Sequence, residues 1–151
     1  QPSLFARATA ALARRDYSRK ELDRKLSRAL KEGETYDMVT EVLDRLESAG
    51  YLSDERFAET RARVRSRTLG DARIRRELRQ SGVSSEHVEA AMEEIEEPEE
   101  VRAYRIWKRR FDELPKDRKE RDRQIRFLMY RGFSMGAISR VISGRVEIFD
   151  E

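Results

Sequence analysis

Cysteine is absent from this 151-residue chain, and histidine occurs once, at His87. Without a thiol there is no disulfide, no cysteine nucleophile and no cysteine zinc site, and a single imidazole offers no histidine pair to a metal. His87 reads instead as a surface side chain at the start of a Glu-rich helix. No apolar run is long enough to cross a bilayer, and no Gly-x-x-x-x-Gly-Lys phosphate loop occurs. Carboxylates stand close together, as at Glu93, Glu96 and Glu97, yet no apolar setting around them would raise a pKa for acid catalysis. The sequence therefore predicts a protein without catalytic residues, metal or cofactor. Hydrophobic residues are also scarce, 38% against a usual value of about 45–50%, while charged residues reach 42%. That composition predicts a thin or elongated fold in place of a thick globular core. The chain starts at Gln1 and shows no charged-then-apolar leader, which predicts a trimmed cytoplasmic protein.

What the sequence does contain is charge, sorted into blocks. The net charge is only +3. Residues 61–79 nevertheless hold eight arginines against Asp71 and Glu77, residues 84–100 hold eight glutamates and no Lys or Arg, and residues 102–131 hold twelve basic against five acidic groups. Two basic blocks flanking an acidic one give a surface field able to steer a polyanion or a charged protein assembly. The acidic block reads as a solvated helix or as a partner for neighbouring arginines, and no site is assigned to it.

Prolines at 2, 98 and 115 only, and no strand-like alternation of any length, predict an all-helical chain. Leu4, Ala8, Ala11 and Leu12 mark a first helix. Ser18 with Glu21 has capping-box spacing for a second through Leu22, Leu26 and Leu30, and Thr35–Ala49 is a third with Val39, Val42, Leu43 and Leu46 inward. Ser53 opens a fourth helix over 54–69 with Phe57, Ala58 and Val64 inward. Asp71 begins a fifth with Ile74 and Leu78, and Ser84 caps a sixth with Val88, Ala91, Met92 and Ile95. Pro98 fits the first turn of a seventh, with a stripe of Val101, Tyr104, Trp107 and Phe111. Ile125, Leu128 and Met129 mark an eighth before Gly132, and Ser134 opens a ninth with Ile138, Val141 and Ile142.

The pattern repeats. Leu78, Gly82, Val83, Ser84, Val88 and Met92 align with Leu128, Gly132, Phe133, Ser134, Ile138 and Ile142 at a constant offset of fifty. The first fifty residues fit at offsets of 52 (Leu22, Leu26 with Ile74, Leu78) and 49 (Val39, Leu43 with Val88, Met92), with three residues inserted around Gly33. The expected architecture is three tandem three-helix repeats, 1–52, 53–97 and 98–144, followed by a tail, 145–151. They form an elongated, curved array of helices crossing near right angles, each repeat leaning on its neighbour as in a solenoid. Nothing in it predicts a dimer.

Three segments carry a family resemblance: Gly50-Tyr51-Leu52-Ser53-Asp54-Glu55-Arg56-Phe57-Ala58, Gly70 through Val83, and Arg126-Phe127-Leu128-Met129-Tyr130-Arg131-Gly132-Phe133. With Ser18-Arg19-Lys20-Glu21-Leu22 and Lys25-Leu26 they resemble the RecX regulators of the bacterial recombinase RecA, over most of residues 4–143. At Ser81 the family more often has Lys, so one positive charge is missing. The resemblance implies tandem three-helix repeats and a protein that binds RecA filaments on DNA, lodges in their helical groove and restrains strand exchange, ATP hydrolysis and co-protease activity.

On the residues themselves, Arg63 and Arg67 are four apart on one face with Arg56 a turn back, and Arg75 and Arg79 form a second exposed pair beside Arg76. Guanidinium forks suit carboxylate or phosphate partners better than lysine does. Arg63, Arg67, Arg73, Arg75, Arg76 and Arg79 are the expected principal contacts to a RecA filament or its DNA, with Lys108, Arg109, Arg126 and Arg131 secondary. Tyr104, Trp107 and Phe111 could stack on bases, but their spacing follows one helical face and reads as core, whereas Tyr130 is less clearly inward. A general DNA-binding module and a bare helical scaffold are the competing readings.

Overall fold

Side-chain oxygens start most of the helices. In the computed structural model, which describes residues 2–148, Ser3, Ser18, Thr35, Ser53, Ser84, Asp117 and Ser134 each accept the amide three residues on, satisfying a donor that the helix itself leaves open. The Ser18–Glu21 capping box is complete. Among the described residues the chain forms nine helices and no strand: α1 (Leu4–Arg14), α2 (Arg19–Arg28), α3 (Tyr36–Ser48), α4 (Asp54–Arg65), α5 (Asp71–Gln80), α6 (Ser85–Glu93), α7 (Glu99–Arg110), α8 (Arg118–Tyr130) and α9 (Met135–Ile142).

Three separate hydrophobic clusters hold them. Leu22, Leu26, Val39, Leu43 and Leu46 centre the first, Phe57, Ile74, Leu78 and Val88 the second, and Trp107, Leu128, Ile138 and Val141 the third. The offset of fifty is visible in space. Leu78 and Leu128 are both fully buried, Ser84 and Ser134 both cap, and Gly82 and Gly132 both adopt positive φ, at 84° and 91°. Substantial helix packing stays within each trio α1–α3, α4–α6 and α7–α9. Each trio thus closes its own core, and among the described residues the three apolar clusters stay separate, so each repeat leans on its neighbour through polar contacts and not through a shared core. The chain exposes 10047 Å², whereas a compact monomer of this mass exposes about 8,000 Å². The excess is the surface of an elongated array.

Polar joints link the trios, and the same joint is built twice. At the first, the Ser18 hydroxyl donates to the Ser81 carbonyl (2.5 Å) and the Arg19 amide donates to the Asp54 carboxylate (2.8 Å). At the second, the Gly70 amide donates to the Arg131 carbonyl (2.8 Å), the Ala72 amide to that of Gly132 (3.2 Å), and the Asp71 amide to the Glu99 carboxylate (2.9 Å). In both cases the start of one trio's middle helix meets the turn after the middle helix of the next, through the Ser18 hydroxyl at the first joint and through the Gly70 and Ala72 amides at the second. An acid in the first turn of the next trio's leading helix completes the joint.

Several side chains depart from the sequence expectation. Helix α4 ends at Arg65 rather than 69, and the Ser66 hydroxyl that follows donates back to the Arg63 carbonyl (2.8 Å). Its buried stripe is Phe57, Ala58 and Ala62, leaving Val64 46% exposed. Small alanines let α4 approach α6 closely, and valine has no place between them. Pro98 is the N-cap of α7, not a residue of its first turn. The fully buried face of α7 is Arg102, Ala103, Ile106 and Trp107, with Val101, Tyr104 and Phe111 only half-buried. On α8, Gln124 and Leu128 are buried and Met129 is outside. Residues 149–151 of the tail lie outside the described residues.

In the first trio, Glu34 takes both arms of the Arg7 guanidinium (2.7 and 3.1 Å) and the Lys31 amide (2.8 Å). The Arg7 hydrogen bonds hold its carboxyl well below the ordinary 4.5, at about 2. A depressed carboxyl stabilises the fold above its unfolded pKa and loses that contribution as pH falls through the folded value. The melting-temperature difference between the parent chain and Glu34→Gln is accordingly expected to be constant above about pH 4.5 and to shrink toward zero near pH 2. A difference independent of pH over that range contradicts the pairing.

Candidate functional site

Helix α5 is the centre of the cationic region. Ile74 and Leu78 are fully buried, which fixes the rotation of the helix and distributes its arginines. Arg76 and Arg79, three apart, fall on the outward face; both are exposed, and among the described residues neither side chain makes a hydrogen bond or ion pair. Arg75 points along the trio to α6, where it makes a two-pronged bond to Glu89 (2.9 and 3.0 Å). That bond raises the Arg75 pKa and lowers that of Glu89. The expected exposed pair of Arg75 and Arg79 is therefore split, with Arg75 committed to the fold. Arg73 points the other way, into the second joint, where it donates to the Tyr130 carbonyl (3.0 Å) and lies over the Tyr130 ring (5.6 Å).

On and after α4, Arg63 and Arg67 are exposed and, among the described residues, their side chains have no ion pair. They line one depression with Glu59, Glu94, Glu96 and Glu97, so the acidic end of α6 faces the first basic pair. Between them Arg65 is held two-pronged by Glu77 (2.9 and 2.8 Å), a bond that raises the arginine and lowers the glutamate. Arg56, expected on the same stripe, donates instead to the Gly50 and Tyr51 carbonyls (3.1 Å each). It closes the end of α3.

The third trio contributes unevenly. Arg131 sits in the joint, donating to the Thr68 carbonyl (3.3 Å) beneath the Phe127 ring (5.2 Å). Arg126 is exposed without an ion pair. Lys108 pairs with Asp112 (2.8 Å), which raises its pKa, and Arg109 beside it is exposed. Both lie about 10 Å along α7 from Arg102 at the joint, so the structure does not bring them to the α5 group. Trp107 is core, its indole donating to Gln124 (2.8 Å). Tyr130 is 80% exposed. His87 is half-buried near the start of α6. Ser81 is buried in the first joint, its hydroxyl toward Glu21 (3.5 Å), so the missing lysine charge belongs to a joint position.

One feature escaped the sequence reading, and one alternative it offered is met. Arg102, counted there among the surface cations, is 2% exposed and donates to the Leu69 carbonyl (3.0 Å), the Glu97 carbonyl (3.3 Å) and the Asp71 carboxylate. A signal existed, since Arg102 shares the 103–106–107 face. The acidic block is likewise partly structural. Glu99 accepts from the Asp71 amide and from the Ser134 hydroxyl (2.7 Å), Glu97 pairs with Arg105, and Glu100 with Arg140 (3.2 Å). Of the ten expected contact residues, Arg63, Arg67, Arg76, Arg79, Arg109 and Arg126 are exposed and, among the described residues, make no side-chain hydrogen bond or ion pair, on a frame held by paired arginines. Such a surface can bind carboxylates or phosphates. Among the described residues no group of three His, Cys, Asp or Glu side chains could hold a metal, and no helix is long and apolar enough to cross a membrane.

Known proteins share this arrangement. A crystal structure of RecX from Lactobacillus salivarius superposes with a TM-score of 0.73 at 20% identity over 94% of both chains. Another, of a regulatory protein RecX, gives 0.76 at 19% over 93% of this chain and 71% of that one. At such identities the likeness shows the fold. In sequence, the chain is 38% identical to the regulatory protein RecX of Ralstonia pickettii (strain 12J) over 99% of its own length and 92% of the relative's. It is 43% identical to that of Pseudomonas fluorescens (strain SBW25) over 89% and 86%. Residues 53–92 match the RecX second three-helix domain and residues 98–142 the third, so the chain belongs to the RecX family of regulatory proteins.

Proposed function

We propose that this chain binds the RecA nucleoprotein filament as a monomer, lies in its helical groove and restrains recombinase, ATPase and co-protease activity. The supporting observation is the set of arginines left unpaired on an elongated helical array. All six of the expected contacts left unpaired lie on trios 53–97 and 98–144, and a row of small units can follow a curved groove across adjacent protomers. Occupancy alone obstructs incoming duplex. A change in RecA activity further requires unequal affinity for different filament states, because a ligand shifts an equilibrium only by its differential binding.

Within the proposed contact set of Arg63, Arg67, Arg73, Arg75, Arg76, Arg79, Lys108, Arg109, Arg126 and Arg131, the informative pair is Arg76 with Arg79, since reversing Arg75 also breaks its bond to Glu89. The double variant Arg76→Glu/Arg79→Glu is expected to keep its melting temperature and to weaken inhibition of RecA's DNA-dependent ATPase about tenfold or more, equivalent to about 1.4 kcal/mol. Undiminished inhibition removes these residues from the interface. Co-sedimentation on DNA with and without RecA tests the function itself. A filament ligand prefers RecA-coated strands, whereas a general DNA-binding module binds bare oligonucleotide with a steep negative dependence on salt.

A further inference from the structure

The two joints are built alike but lined differently. Around the second joint a cleft between α5 and the α8–α9 turn is lined by Ala72, Arg73, Arg76, Met129, Tyr130 and Met135, with the Gly132 backbone and buried Phe133 at its floor. The matching positions of the first joint, by the offsets of 52 and 50, are Lys20, Glu21, Arg24, Arg79, Gln80 and Ser85, with Val83 for Phe133. A polar rim therefore suffices to close a joint. Met129, Tyr130 and Met135 are 53%, 80% and 55% exposed, and the fold gives no reason for placing three large apolar side chains together in water. Exposed apolar patches rimmed by polar groups mark contact sites, and Tyr, Met and Arg are the residues enriched in protein interfaces.

We propose that this cleft docks an acidic protein segment carrying an apolar side chain. The apolar side chain enters between Met129 and Met135 above Phe133, beside the Tyr130 ring, and the carboxylates meet Arg73 and Arg76. Charge selects the partner, since the lining holds two guanidinium groups and no acid, and Arg126 shares the α8 face of Met129 and Tyr130 at helical spacing. Side-chain chemistry selects protein over nucleic acid. The cleft has one exposed ring, and Arg73 already lies over it. Thioethers offer bases no π-face, but they adapt to an irregular apolar side chain. The proposal rests on the filament reading above and assigns this contact to a RecA protomer, not to the DNA it coats.

The experiment uses the full chain with a benzophenone amino acid in place of Met135, added to RecA filaments assembled on a dT oligonucleotide with a non-hydrolysable ATP analogue. The pellet is irradiated and the crosslink is mapped by mass spectrometry. The expected adduct is on an Asp- and Glu-rich RecA peptide. In parallel, Met129→Ser/Tyr130→Ala is expected to lower filament affinity about tenfold and to change affinity for bare dT oligonucleotide by less than about twofold. Met135→Asp is expected to act the same way by repelling the acidic segment; it sits at the first position of α9, where a carboxylate favours the helix, so its failure to bind cannot be put down to unfolding. A crosslink to the oligonucleotide, or unchanged filament affinity in both variants, overturns the cleft assignment while the filament reading stands. Absence of the unsubstituted chain from the pellet overturns both.

Discussion

Replacing Arg102 by alanine is expected to destabilise the protein by about 3 kcal/mol, the low end of the cost of breaking a buried ion pair, since the Asp71 side chain is 30% exposed. The guanidinium is buried and spans three acceptors, the Leu69 and Glu97 carbonyls and the Asp71 carboxylate. Two of these belong to the segment that ends the α4–α5 connection and begins α5, so Arg102 fastens α7 to the preceding trio as well as filling space. Truncation leaves the Leu69 carbonyl unsatisfied at about 1–3 kcal/mol, deprives Asp71 of its cation and opens a cavity. Arg102→Met separates these causes: it restores most of the volume and none of the donors, so it should recover only the cavity part. Trp107 is the only tryptophan and lies in the third core, so its fluorescence in a denaturant titration reports the trio that Arg102 anchors. An alanine variant within about 1 kcal/mol of the parent, inside the range of ordinary surface substitutions, would show that this arginine is not the fastening that its contacts describe.

Arg102 also shows where sequence reasoning reached and where it stopped. The elements were legible because each rests on local chemistry. A serine before a helix accepts an amide three residues on whatever the tertiary fold does, and Gly82 and Gly132 end their helices by a conformation that glycine adopts cheaply. The offset of fifty followed from the same local signals. On α7, however, hydropathy chose the stripe Val101, Tyr104, Trp107 and Phe111 over the adjacent face carrying Arg102, and the structure selects the latter. A charged side chain enters a core face only when acceptors from elsewhere meet it, and Leu69 and Asp71 lie 33 and 31 residues away in sequence. Periodicity carries no information about them.

The same limit applies to the arginines. Their density in 61–79 was plain from the sequence, and it correctly indicated a cationic region. Which of them remain available was not. Glu77 removes Arg65 and Glu89 removes Arg75, while Arg76, one residue from Arg75, stays outside. The choice is made by the rotation of α5 about Ile74 and Leu78 and by what α6 presents across from it. Both are properties of packing, so a list drawn from charge alone mixes available arginines with fasteners.

Gly70→Ala is expected to open the second joint without unfolding either trio. The backbone at Gly70 is extended and tolerates any residue, so the argument is one of space. A Cβ there would stand 2.4 Å from the Gly132 carbonyl carbon and oxygen and from the Phe133 amide nitrogen. All three are main-chain atoms and cannot rotate away. The turn must retreat, and with it go the bonds from the Gly70 and Ala72 amides (2.8 and 3.2 Å) and from Arg73 to the Tyr130 carbonyl (3.0 Å). At about 1 kcal/mol each, their loss totals about 3 kcal/mol, and the three cores are untouched. Helical circular dichroism should therefore persist while the radius of gyration rises and the Ala72 amide loses its protection from hydrogen exchange. Gly136→Ala supplies the control: its new Cβ meets nothing closer than the Ser134 hydroxyl at 3.9 Å, and within α9 it should stabilise by about 0.5–1 kcal/mol. If the Ala72 amide stays protected in Gly70→Ala, the main chains do not meet at that point and the joint is held by its side chains alone.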